Sequence, residues 1–157
     1  MASNPKPEWD ARTIALEILR AQRVAVIATA DGGEPWASTV FYADEGFTLY
    51  VNTPNGTRML RNMRANPRVS FAIDERAPTY FLQAAALARL VDDPIEYAHA
   101  RELLAVKVPE AHVGHPSYTL VKLVSQRVYV SDYRGGYRPR AELIVSKTSA
   151  SHQQGDP

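Results

Sequence analysis

The sequence predicts a mainly β protein, a small antiparallel β-barrel of about six or seven strands with two or three helices at its ends. Three observations carry this expectation. Short β-prone runs recur along the chain, and most are bounded by turn residues such as Asp31-Gly32-Gly33 and Asp44-Glu45-Gly46. Helical signals are confined to three stretches near residues 10–22, 57–65 and 94–107. The length of 157 residues, with 45% apolar content, suits one domain that buries roughly 70% of its unfolded surface.

Taken in order, residues 1–8 read as a loose tail. Residues 10–22 read as a helix whose stripe of Ile14, Ile18 and Leu19 turns inward while Arg12, Glu17 and Arg20 face water, a lid over one barrel end. Residues 23–29 form an apolar run without polar alternation, which predicts a strand buried on both faces. A turn at Gly32-Gly33 returns the chain along residues 35–42, and a second turn at residues 44–46 leads into residues 47–52. These three strands are expected to form an antiparallel meander.

Residues 68–74 read as a strand. Residues 79–91 could pass for a helix because Gln83 to Leu87 is alanine-rich, yet Thr79, Tyr80 and Phe81 favour β structure. A helix start follows, with Asp93 as cap, Pro94 in the first turn and Glu96 as an early carboxylate. That helix runs to about Lys107, with Ile95, Ala98, Leu103 and Val106 expected inward. After a polar loop, residues 118–131 alternate through Leu120, Lys122, Val124, Gln126, Val128 and Val130, the pattern of a strand wet on one face. A glycine- and arginine-rich loop at 132–139 precedes a last strand at 140–145. The expected domain is 1–145, followed by a polar, disordered tail at 146–157.

The net charge of +1 gives no reason to expect nucleic acid or an anionic membrane as partner. No apolar run approaches the length of a membrane span, and residues 1–8 lack a signal-peptide core. The chain has no cysteine, so disulfides and thiolate chemistry are excluded, and a cytoplasmic location is expected. His99, His112 and His115 fit no tight zinc spacing, and no metal site is expected.

The stretch from Thr53 to Ser70 carries the chemistry. Pro54, Asn55 and Gly56 turn the chain, Thr57 stands at a helix N-cap position, and Asn66-Pro67 stops the helix. Met59, Leu60 and Met63 share one face of that helix, with Arg61 and Arg64 on the other. Unpaired N–H groups, the hydroxyls of Thr53 and Thr57, and the charges of Arg58 and Arg61 suit an anion. No acidic residue lies between Glu45 and Asp74. A solvated arginine face is the bland alternative.

The run Gly56-Thr57-Arg58-Met59, followed by Asn66-Pro67-Arg68-Val69-Ser70, resembles the flavin-phosphate segment of the pyridoxamine 5'-phosphate oxidase-like family, the FMN-binding split β-barrels. The family pattern there is Gly-Ser-Arg-Lys, a short helix, then Asn-Pro-Arg-Val-Ser. The resemblance covers residues 23–145 and implies a split barrel, a homodimer and FMN as cofactor, with the deazaflavin F420 or haem as alternatives. It implies that Thr57 and Arg58 meet the phosphate, with Asn52, Thr53 and Arg61 beside them. It also implies that the strand carrying Ser38, Thr39 and Val40 lines the flavin ring. Tyr80 and Gln83 would reach across from the partner subunit. Tyr133, Arg138 and Arg140 match the family's C-terminal aromatic and arginine loop. Met59 departs from the pattern, since the family has lysine there. The implied function is a flavin-dependent oxidoreductase acting on a small molecule. No acid–base residue is singled out, because the flavin would carry the redox chemistry. A flavin-binding protein without turnover is the alternative.

Overall fold

The computed structural model describes residues 8–74, 80–134 and 140–146. In chain order the elements are α1 (Glu8–Ala21), β1 (Val24–Asp31), β2 (Glu34–Phe41), β3 (Ala43–Glu45), β4 (Thr48–Pro54), α2 (Arg58–Ala65), β5 (Arg68–Asp74), β6 (Tyr80–Leu90), α3 (Pro94–Lys107), β7 (Tyr118–Asp132) and β8 (Ala141–Ile144). All eight strands join one antiparallel sheet in the order β2-β1-β5-β6-β7-β4-β3, with β8 on the far end of β7. It is a split β-barrel.

The order corrects the expected meander. β1 and β2 form a hairpin, but β2 and β4 do not pair. β2 stands at one edge of the sheet and β3 at the other, separated in sequence by Tyr42 alone. The sheet therefore curls until its two edges are consecutive pieces of one chain. Ala43 to Glu45, expected in part as a turn, is the short strand that makes the switch by pairing with β4.

Tyr42 is fully buried at this junction, its hydroxyl donating to the Leu19 carbonyl at 2.8 Å and its N–H to the Arg23 carbonyl at 3.0 Å. The Lys107 ammonium lies 4.2 Å from the Tyr42 ring centroid, donates to the same Leu19 carbonyl at 2.6 Å and pairs with Asp44. Burial holds the Lys107 pKa below its ordinary value, with Asp44 pulling the other way, and burial raises that of Tyr42.

Inside the barrel, Ile14, Ile18 and Leu19 of α1 and Met59, Leu60 and Met63 of α2 pack against Ile27, Leu49, Val51, Phe71, Ile73, Leu82 and Leu123. A second cluster lies outside, where Ala100 and Leu104 of α3 cover Tyr50 and Leu120. Three expectations change here. The inward face of α3 is Ala100 and Leu104, while Ile95 and Val106 are more than four-fifths exposed and Ala98 is exposed. Ion pairs set this rotation. Glu96, near one end, meets Lys122 at 2.6 Å and Arg89 at 2.9 Å, and Lys107, at the other end, meets Asp44. Both charged residues lie on the Ala100–Leu104 stripe, so their partners turn that stripe inward.

The second change concerns β1, which is buried on one face only. Ala25, Ile27 and Thr29 point in, while Val24, Val26 and Ala28 lie exposed on an outer face that no described helix covers. In β7 the even-numbered series does not stay on one face. Ala85 pairs with Arg127 and Ala86 with Ser125, so Gln126 is skipped as a bulge. Beyond it Val128 and Val130 are buried, whereas Lys122 and Val124 are only partly covered.

Three outcomes follow. Tyr42→Phe should cost about 1 kcal/mol in urea unfolding, because Lys107 still serves the Leu19 carbonyl. Lys107→Met should cost roughly 3 kcal/mol, since it strands Asp44 in a largely buried site. The third concerns Glu96, whose pKa falls from 4.5 to about 2 through hydrogen bonds from Lys122 and Arg89. A depressed carboxylate contributes stability above its unfolded pKa and loses it as the folded pKa is approached. Wild type should therefore lose stability between pH 4.5 and 2 more steeply than Glu96→Gln, as read by chemical unfolding across that range.

Candidate cofactor site

The site begins where β4 ends. Thr53 is its last inward residue and is buried, and Gly56 takes a φ of +80°, a left-handed conformation that glycine adopts without strain. Thr57 then caps α2, its hydroxyl accepting from the Leu60 N–H at 3.3 Å and standing 3.4 Å from the Thr53 hydroxyl. The remaining first-turn N–H groups face the turn, as at any helix start. Asn55 and Asn52 brace the turn from behind. Asn55 donates to the Pro116 carbonyl at 3.1 Å and accepts from Thr119, and Asn52 donates to the Ala111 carbonyl at 2.6 Å. Asn52 thus sits on the opposite face of β4 from Thr53.

Arg58 is not the solvated side chain that a surface helix suggests. It pairs with Glu34 at 2.8 Å and stacks over the Trp36 ring at 4.7 Å. Arg61 folds back to donate to the Gly56 carbonyl at 2.6 Å. Met59 is 2% exposed inside the barrel, so the position that holds a charge in the family pattern serves packing here. Asn62, also buried, donates to the Thr29 hydroxyl at 3.0 Å and fastens α2 to β1.

β2 runs alongside. It pairs with β1 alone among the described residues, leaving its other edge without a strand partner. Alternation puts Trp36, Ser38 and Val40 on the inner side, across from Thr29, Ile27 and Ala25, and Thr39 on the outer side, across from Val26.

The outer face holds two adjoining shallow cavities of about 530 and 450 Å³, sharing Val26, Ala72, Gln83 and Arg140. The Arg140 guanidinium lies 4.7 Å over the Tyr129 ring and donates to the Gln83 side-chain amide oxygen at 3.4 Å. Tyr133 lines the larger cavity with its ring 5.6 Å from Phe81. Tyr80 packs instead against the barrel core, with the Arg134 guanidinium 4.3 Å over its ring. Arg138 lies outside the described residues.

The structure therefore brings Thr53, Thr57, Arg58 and Arg61 together around one turn. Tyr133 belongs to the outer cavities, and Asn52 and Tyr80 point elsewhere. Glu34 and Asn62 carry no site signal in the sequence, while Trp36 is read there only as part of the ring-lining strand and Asn55 only as a turn residue. Alternation along β2 groups Glu34 with Trp36 and Ser38, but nothing in it places that face beside α2.

His112 and His115 flank Tyr118 with ring separations of 5.7 and 5.8 Å, and His99 pairs with Glu45. Among the described residues no group of three histidine, cysteine or acidic side chains could hold a metal ion, and no helix is long and apolar enough to cross a membrane.

The fold defines a class, the split β-barrels built from one curled antiparallel sheet. The family model of pyridoxamine 5'-phosphate oxidase matches residues 14–132, and the chain belongs to that family. Among solved structures it is similar to a haem-binding protein from Mycobacterium smegmatis, at 27% identity and a TM-score of 0.72 over 91% of this chain. The chain spans 60% of that protein's length. A candidate pyridoxamine 5'-phosphate oxidase from Listeria innocua is 24% identical, with a TM-score of 0.65 over 76% of this chain and 96% of its own. An FAD-binding protein from Mesorhizobium loti is 22% identical, with a TM-score of 0.63 over 75% of this chain and 90% of its own. No curated protein matches the sequence.

Arg58→Ala removes the Glu34 pair and the Trp36 stack together. It should lower the stability of the protein without added ligand by about 0.5–1.5 kcal/mol, which thermal unfolding of wild type and variant reads directly.

Proposed function

We propose that the chain binds a flavin nucleotide, with the phosphate at the start of α2 and the ring along β2, and acts as a flavin-dependent oxidoreductase. The observation that carries this reading is the turn itself. Two threonine hydroxyls, a capped helix start and an arginine converge beside a strand edge that has no strand partner among the described residues. Family membership supports it, as does the fold shared with an FAD-binding protein. FMN is the smallest flavin that carries a phosphate. Bound flavin supplies hydride and electron transfer, while the residues present bind, orient and shield it. Arg58 would have to exchange Glu34 for the ligand's phosphate.

The reading includes a twofold homodimer. Val24, Val26 and Phe41 each expose more than two-fifths of their surface, and Ala28, Ala72 and Ala85 extend this apolar face over β5 and β6. A symmetric partner would cover it and bring Gln83, Tyr133 and Arg140 of one chain towards the α2 turn of the other. The 27% identical haem-binding protein favours a second reading, haem in the outer cavities, where Arg140 could meet a propionate.

Absorbance after addition of each cofactor and removal of excess decides between them. Retained flavin gives a band near ~450 nm, and retained haem gives a strong band near ~400 nm. Retention of FMN or FAD is expected; retention of haem alone would favour the second reading. Light scattering should give twice the mass of one chain, and a monomer would count against the pairing.

A further inference from the structure

The α2 turn holds less positive charge than its arginines suggest. Arg58 is paired with Glu34 at 2.8 Å, Arg61 is turned onto the Gly56 carbonyl at 2.6 Å, and Met59 is buried and uncharged. What remains for a ligand is a set of hydroxyls, first-turn N–H groups and about half a unit of positive helix charge. A terminal phosphate carries close to two negative charges at neutral pH, whereas a phosphodiester carries one. The turn is also open. Pro54, Asn55 and Gly56 are exposed, and nothing lies within 4 Å of where a Cβ on Gly56 would stand. A substituent continuing beyond the phosphate has a way out to solvent.

We propose that Glu34 sets the charge of this site, selecting a flavin whose anchoring phosphate is singly charged, because a further group is attached to it, over one ending in a doubly charged terminal phosphate. The assignment rests on the flavin reading above and adds the ligand class. Glu34 stands at the start of β2, held over α2 by the β1–β2 hairpin and by the Trp36 ring beneath Arg58. A monoanion can share Arg58 with this carboxylate. A dianion must displace it, and then stands beside a displaced negative charge.

Coulomb energy scales with ligand charge, which makes the test quantitative. Riboflavin, FMN and FAD are titrated against wild type and Glu34→Gln, following quenching of flavin fluorescence. Removing the carboxylate charge should tighten FMN by roughly tenfold and FAD by less, because FAD divides its two charges over two linked phosphates and sets only one of them at the anchor. Riboflavin, which has no phosphate, should be unchanged. Wild type should bind FAD at least as tightly as FMN. Equal gains for all three flavins would show Glu34 acting through structure rather than charge, and would overturn the assignment while leaving the flavin site standing. A wild type that favours FMN over FAD by tenfold or more would also overturn it. If neither protein binds any of the three, the flavin reading itself fails and takes the assignment with it.

Discussion

The barrel is closed by a covalent constraint at Tyr42. A curled sheet with two free edges would expose two rows of unpaired backbone groups, and here the edges β2 and β3 are successive residues of one strand-like run. The chain must change partners there within a single residue. That residue is fixed by burial, by its hydroxyl on Leu19 and by its N–H on Arg23. Leu19 lies in α1, Lys107 ends α3 and Asp44 belongs to β3, so one knot of four residues ties two helices and both edges of the sheet. The placement of β2 beside the β4–α2 turn follows from this closure. Without it, Trp36 and Arg58 would have no reason to meet.

Within that frame the site is built by alternation. Asn52 and Thr53 are neighbours, yet one braces the loop outside the barrel and the other turns its hydroxyl towards Thr57. Thr39 and Ser38 divide in the same way between the outer face and the inner one. Successive residues in a strand cannot both serve one ligand through their side chains. The two groups of candidate residues, around α2 and around Arg140, accordingly lie apart in one chain, and no residue of the α2 turn lines the outer cavities.

Local chemistry was legible in the sequence; the orientation of one element against another was less so. The cap at Thr57, the inward face of Met59, Leu60 and Met63, and the stop at Asn66-Pro67 are determined within about ten residues, and the structure has them. The cap at Asp93 and the strand nature of β6 were read the same way. The rotation of α3 was misjudged because its apolar residues are scattered around the helix, and distant Lys122, Arg89 and Asp44 choose the inward side. The Glu34–Arg58 pair was invisible for a similar reason. It joins a hairpin tip to a helix start, and only the closed barrel brings those two together.

Gln126 has a consequence for how this fold can change. It behaves as a frame-shift within β7, so that one continuous strand turns even-numbered residues outward beneath α3 and inward beyond the bulge. Its carbonyl also accepts the backbone N–H groups of Val145 and Ser146, which seats the chain just past β8 on the bulge itself. Deleting this one residue would join Ser125 directly to Arg127, erase the bulge and leave both halves of the strand facing as they do now. Val128 and Val130 would stay towards the core and Arg127 and Tyr129 towards the outside, but the Val145 and Ser146 N–H groups would lose their acceptor. What the extra residue serves is therefore the seating of the chain past β8, not the in-and-out order of the barrel wall.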